Sequence, residues 1–322
     1  MRPHTLTVPK PLIPVAGKPI VQRLVEELAI IAHEPIENIG FVVGHFGEEV
    51  EKDLLDIAAR LGAKGSIHYQ EEALGTAHAI LCAQEHLQGK TIVAFADTLF
   101  KAKLELDESK DGVLWVQQIP NPEQFGVVKL NEEGNIIDFV EKPSTFVSDL
   151  AMIGIYYFKE GEKLRSELQY LIDNDIIKGG EYQLPDALLN MTSKGMKFAP
   201  GKVDDWMDCG NKNATVETNQ RILNYHQHDD DLHGKNVTIE NSIVIAPCYI
   251  GDNAVLKNAI VGPHCSIGEN TTIENTVIKN SIVQANSEVK NANIENSMIG
   301  HHASFHGHAE MLSISDYSTQ GK

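Results

Sequence analysis

The stretch LGTAHAILCAQEHL (74–87), followed three residues later by TIVAFAD (91–97), decides how the first two thirds of the chain are read. The first run has helical spacing of its apolar residues and the second reads as a buried strand. Working outward toward the N-terminus, the same alternation continues. SIHYQ (66–70) is a short strand, EEVEKDLLDIAARLG (48–62) a helix and IGFVV (39–43) a strand, while Ile20, Val21, Leu24, Val25 and Leu28 recur at helical spacing. Strands separated by crossover helices pair in parallel because a short hairpin cannot join them. The rhythm therefore predicts an α/β domain with a mainly parallel sheet and helices on both faces. In such sheets ligands bind beyond the carboxyl ends of the strands. Asp97 stands at that end of TIVAFAD, where a bare carboxylate is costly to bury. It either caps the following turn through its own side chain or serves a ligand.

From Asn236 the character changes. The tetrads NSIV (241–244), NAIV (258–261) and NTVI (275–278) are 17 residues apart, and NSIV (280–283) and NSMI (296–299) follow. IGDN (250–253) and IGEN (267–270) run in step with them. Periods this short predict a parallel β-helix built from hexapeptide repeats. The polar segment YHQHDDDLHGK (225–235) is the expected linker, giving domains 1–224 and 236–322.

With 45 acidic against 27 basic residues the chain carries a formal charge of −18, which excludes a broad nucleic-acid face. An anionic ligand must then be held by a few lysines, backbone N–H groups or a metal ion. Cys82, Cys209, Cys248 and Cys265 lack CxxC spacing and read as reduced thiols, which predicts the cytoplasm. No apolar run reaches the roughly 18 residues of a membrane span.

The motifs TVPKPLIPVAGKP (7–19), Gln70 with LGTAHA (74–79), FADTLF (95–100), VEKP (140–143), GIYYF (154–158), GGEYQLPDAL (179–188) and WMDCGN (206–211) occur in one order. As a set they resemble the sugar-1-phosphate nucleotidyltransferases, from Met1 to about Asn224, and the repeats resemble the tail of that family's long members. The resemblance implies a Rossmann-like domain followed by a small left-handed β-helix. It also implies that the phosphate of a sugar 1-phosphate attacks the α-phosphorus of a nucleoside triphosphate in line and expels pyrophosphate. Such chemistry needs cations and positioning more than acid or base groups.

Carried over residue by residue, Lys10 matches the lysine that contacts the α-phosphate, and Asp97 and Asp208 match two carboxylates that hold Mg²⁺. Gln70 and Gly75 match positions that read the base, with Thr76 beside them at the start of a helix, where capping is its ordinary role. Glu141, Lys142, Gly154 and Glu181 match the sugar-phosphate site. Pro185 departs from the threonine of many relatives, which leaves the role of Asp186 open. His301, His302, His306 and His308 crowd the last coils without a cysteine or carboxylate at ligand spacing, and read as surface. In the family, Arg2-Pro3 would end a segment preceded by a strand and a glycine-rich loop. The resemblance thus implies roughly twenty residues upstream of Met1, ending in a Gly-x-Gly-Thr-Arg-like sequence whose N–H groups cradle the triphosphate.

The expected substrates are dTTP or UTP with glucose 1-phosphate, with GTP and mannose 1-phosphate second. A non-catalytic sugar-nucleotide-binding regulator and an acyltransferase working through the β-helix are the readings from other classes. The open end of a solenoid predicts a homo-oligomer.

Overall fold

The computed structural model describes residues 1–6, 8–32, 34–102, 109–228, 232–308, 313 and 315–317. Thr7 of the proline-rich motif and residues 229–231 of the expected linker lie outside them. In chain order the elements before the repeats are β1 (Pro14–Val15), β2 (Lys18–Pro19), α1 (Ile20–Ile31), β3 (Asn38–Val43), α2 (Glu48–Arg60) and β4 (Lys64–Tyr69). Then come α3 (Thr76–Cys82), β5 (Thr91–Ala94), β6 (Thr98–Lys101), β7 (Gly112–Gln118), β8 (Val127–Leu130), β9 (Ile136–Val140) and β10 (Leu150–Phe158). The set closes with α4 (Gly161–Asp173), α5 (Leu184–Ser193), β11 (Phe198–Lys202), β12 (Asp205–Asp208) and α6 (Lys212–Tyr225).

The chain divides into two compact units. One holds Arg2–Ile13 and Pro19–Cys209; the other holds Met1, Pro14–Lys18 and Gly210–Lys322. In the first unit the predicted helices form where the periodicity places them. α1 buries Ile20, Val21, Leu24, Val25, Leu28 and Ile31, one stripe of its surface. α2 opens with Glu48, Glu49 and Glu51 and closes on Arg60, charges that complement the helix dipole. It connects β3 to β4, which pair in parallel from Asn38↔Lys64 to Val43↔Tyr69.

A second sheet has the order β5-β10-β7-β11-β9-β8. β7 and β11 are parallel, whereas β10 runs antiparallel to β5 and β7, and β8 and β9 form an antiparallel hairpin. The hairpin turns at Asn131–Gly134, where Asn131 Oδ1 accepts from Glu133 N and Asn135 N and Gly134 takes φ +78°. β5 occupies the edge of this sheet and is half-buried, not enclosed on both faces as TIVAFAD suggests, because β10 is its one strand partner among the described residues. The strand stops at Ala94, although Phe95 N still donates to Gly154 O of β10. Trp115, Phe158 and Phe198 lie in the fully buried centre, Phe158 and Phe198 meeting edge to face with centroids 6.2 Å apart.

In the other unit, three parallel strand columns stack with coils of 17 and then 16 residues. Ile250, Leu256, Val261, Ile267, Ile273, Ile278 and Val289 fill the axis. At the corners, Asn241, Asn258 and Asn275 take φ of +46°, +50° and +49° and hydrogen-bond one to the next through their amides, a conformation asparagine tolerates better than other side chains. α6 belongs to this unit, as does the β1–β2 turn. Asn219 of α6, fully buried, accepts from Ala16 N at 2.9 Å and from Ser266 Oγ at 2.6 Å. Gly17, at φ +83°, leaves room for the ring of Tyr249, which an added Cβ would meet at 2.2 Å. The expected linker, 225–235, thus follows α6 within this unit. Among the described residues no helix is long and apolar enough to cross a membrane.

Candidate active site

β6 and β12 form a two-stranded antiparallel ladder that sets Asp208 opposite Thr98. One step further, Cys209 N donates to the carbonyl of Asp97 at 2.9 Å. Two aspartates distant in sequence are thereby brought to adjoining positions at one end of the ladder. Trp206 Nε1 donates to Thr98 Oγ1 at 3.0 Å and its ring meets Phe125 edge-on, which fixes the ladder against the loop before β8. Lys10 enters from a single 3-10 turn, Lys10–Leu12, preceded by Pro9 and anchored by the buried Leu12 and Ile13. Its ammonium donates to Asp97 Oδ2 at 2.8 Å. Lys10 and Asp97 therefore meet, and the backbone of Asp208 lies beside that of Asp97. The donor set, two hard carboxylates, fits the oxygen preference of Mg²⁺.

Gln70 follows β4 directly, its N–H donating to Val43 O and its Nε2 to Gly75 O at 3.1 Å. His78 Nδ1 lies 3.1 Å from the same amide, a partner that the sequence did not single out. Gly75 has φ +107°, and a Cβ there would stand 2.4 Å from Tyr182 O. Only glycine permits this crossing, which Tyr182 N→Leu74 O and Ala77 N→Tyr182 O lace together. Thr76 does cap a helix, but not its own: its Oγ1 accepts from Leu184 N at 2.9 Å at the start of α5, while Gly75 is the N-cap of α3. Glu181 is held on the same crossing, accepting from Gln183 Nε2 at 2.9 Å.

Glu141 and Lys142 leave β9 by a turn in which Lys142 takes φ +43° and donates its N–H to Phe125 O at 3.2 Å. Glu141 Oε2 would lie 2.7 Å from a Cβ at Gly126, so the preceding QFG turn makes space for the carboxylate. Burial raises its pKa above the ordinary range; Lys142 opposes this and Glu181 reinforces it, so the carboxylates of Glu141 and Glu181 sense each other. Gly154, at φ +82° in the irregular middle of β10, accepts from Phe95 N at 2.9 Å and faces the Phe95 ring, two residues before Asp97. Asp186 is buried and ion-paired with Lys178, and its Oδ2 has no partner among the described residues. Gly126 and Phe125 carry no local signature. Their parts come from backbone crossings that only the folded chain makes. In the last coils His306 pairs with Glu288 at 2.7 Å.

The model of the nucleotidyl transferase family matches residues 1–225. The low-salt glycan biosynthesis nucleotidyltransferase Agl11 of Haloferax volcanii is 30% identical over 236 residues, 69% of this chain and 62% of that protein. The bifunctional protein GlmU of Methanococcus maripaludis is 30% identical over 259 residues, 77% of this chain and 59% of that one. The chain thus spans about three fifths of the length of these relatives. The glucose-1-phosphate thymidylyltransferase of Streptomyces griseus aligns over 345 residues at 28% identity, covering 99% of this chain and 95% of its own. A crystal structure of UDP-glucose pyrophosphorylase complexed with UDP-glucose shares the fold, with a TM-score of 0.57 and 22% identity over 70% of this chain and 94% of that one. Matched by the family model over most of its length and by relatives at 30% identity, the chain belongs to the nucleotidyl transferase family.

Proposed function

We propose that the protein transfers a nucleotidyl group from a nucleoside triphosphate to a sugar 1-phosphate, giving a nucleotide sugar and pyrophosphate. The observation that carries this reading is the Lys10–Asp97 ion pair at the end of the β6–β12 ladder, where the backbone of Asp208 adjoins that of Asp97. Lys10 draws the α-phosphate, its flanking prolines limiting the entropy lost in presenting the ammonium. Asp97 and Asp208 would hold Mg²⁺, which when bound neutralises charge on the phosphate oxygens. The Gln70–Gly75 loop receives the base, with Gly75 allowing its crossing with Tyr182 and Thr76 pinning the loop to α5. Lys142 pairs with the phosphate of the sugar 1-phosphate, Glu141 and Glu181 accept from sugar hydroxyls, and Gly154 leaves room beside Phe95. Positioned in line, the sugar phosphate oxygen bonds to the α-phosphorus as the bond to pyrophosphate breaks.

The names of the Streptomyces griseus relative and of the UDP-glucose pyrophosphorylase support dTTP or UTP with glucose 1-phosphate. Four thiols without a disulfide are consistent with a reducing cytoplasm. The test is pyrophosphate release from dTTP, UTP, GTP, ATP and CTP with glucose 1-phosphate and mannose 1-phosphate, beside acetyl-CoA consumption. Release with dTTP or UTP and glucose 1-phosphate is expected. No release from any pair, by the chain with or without an N-terminal extension, would reject the reading, and acetyl-CoA consumption alone would move the activity to the β-helix.

A further inference from the structure

We propose that Ser66, His68, Glu85 and His86 form a binding site for a divalent transition ion of the zinc class, separate from the Asp97–Asp208 pair. The alternation of β4 puts Ser66 and His68 on one face of the strand. The single 3-10 turn Gln84–His86 after α3 supplies the other two residues. The two Nε2 atoms face each other at 3.2 Å, and Ser66 Oγ lies 2.9 Å from His68 Nε2 and 2.7 Å from His86 Nε2. A carboxylate oxygen of Glu85 stands 4.0 Å from the first nitrogen and 3.7 Å from the second.

The spacing is what a tetrahedral ion asks for. With Zn–N bonds of about 2.0–2.1 Å, two imidazole nitrogens on one zinc sit ~3.3 Å apart. Glu85 has a few tenths of an ångström to travel, and its side chain is 69% exposed and free to move. Two neutral imidazoles can point both lone pairs at one cation. Facing each other without one, they must put a proton between them or rely on the single hydroxyl proton of Ser66. The pocket exists because residue 40 is glycine: a Cβ there would stand 2.7 Å from His86 Cδ2 and 3.4 Å from His68 Nε2. His68 and His86 are mostly buried, side-chain exposures 11% and 24%, so the nitrogens are held in place while Glu85 opens toward solvent as an entry path. Two nitrogens and one carboxylate favour zinc over magnesium, which takes oxygen ligands and keeps its waters. Among the described residues this is the one group of three or more His, Cys, Asp or Glu side chains with ligand atoms close enough to share an ion.

The test uses the 322-residue chain stripped with a chelator and titrated with Co²⁺, read by visible absorption, and with Zn²⁺, read by calorimetry. One equivalent of each is expected, Co²⁺ with the intense bands of a tetrahedral site and Zn²⁺ with a rise in melting temperature. His86→Gln should abolish both signals, and Glu85→Gln should weaken binding on the order of tenfold or more. If His86→Gln melts differently from the parent in chelator, Glu85→Gln decides, since its exposed side chain puts no fold at risk. Absence of the cobalt bands in the parent, or an affinity unchanged in Glu85→Gln, would overturn the site. The readout is metal binding, so it stands or falls apart from nucleotidyl transfer.

Discussion

Lys10 and Asp97 meet at 2.8 Å with the lysine side chain 25% and the aspartate 48% exposed. Water and salt screen such a pair, which holds its worth to stability below about 1 kcal/mol. In the reaction the same ammonium faces charge that develops on phosphate oxygens, where one preorganised donor is worth roughly 10²–10³ in kcat. Lys10→Ala is therefore expected to lower kcat by that factor while the urea midpoint hardly moves; equal losses in both would assign Lys10 to structure. Glu141 gives a pH test. Its raised carboxyl pKa, due first to burial, means that the native state binds the proton more tightly than the unfolded chain. The stabilisation from this group is fully present below the unfolded value and is lost as pH rises through the folded value, so the ionised form weighs against folding at neutral pH. Glu141→Gln should be more stable than the parent near pH 7, and the gain should shrink as pH falls and vanish below the ordinary glutamate value of about 4.3, where folded and unfolded chains both carry the proton. A gain independent of pH in urea titrations would remove this account. The proximity of Lys10 to Asp97 was legible only through the set of family motifs that holds both. Gly126 and the capping of α5 by Thr76 were not, since each depends on where a distant backbone passes.

At the level of elements, legibility followed the range of the interactions. The solenoid could be read from spacing alone because every coil meets a near copy of itself, so one period fixes strands, corners and core together. Helices α1 to α3 were equally plain, their stripes being local. The antiparallel neighbours of β10 were not, because packing against Leu114, Phe158 and Phe198 selects those pairings and no periodicity records them. The turn NEEGN (131–135) was the missed local cue, its asparagine and glycine marking the β8–β9 hairpin. The corners of the solenoid yield a sharp prediction. Asn258, at φ +50°, donates to Asn275 and accepts from Asn241. Asn258→Ala forfeits both bonds and carries the left-handed penalty, for an expected loss of about 1–2 kcal/mol. Asn258→Gly forfeits only the bonds and should be milder by about 1 kcal/mol. Equal losses in denaturant titrations would show that backbone conformation is not what asparagine provides there.

For the molecule as a whole, the solenoid presents Ile243, Ile260 and Val277 in register as an exposed aliphatic column, 60%, 39% and 43% exposed. If a second copy covers that column, light scattering should give a multiple of the 35.5 kDa chain mass, and Ile260→Lys should return it to one. A parent that already weighs one chain would dismiss the assembly. The division into units has a further effect, on time. Ala16 takes its partner from Asn219, 203 residues downstream. At about 5–20 residues per second this partner leaves the ribosome roughly 10–40 s after the turn that needs it. The β1–β2 turn thus waits for a partner made 203 residues later. A nascent chain stalled before Asn219 carries that turn without its partner, and any factor that guards the growing polypeptide has this interval in which to act.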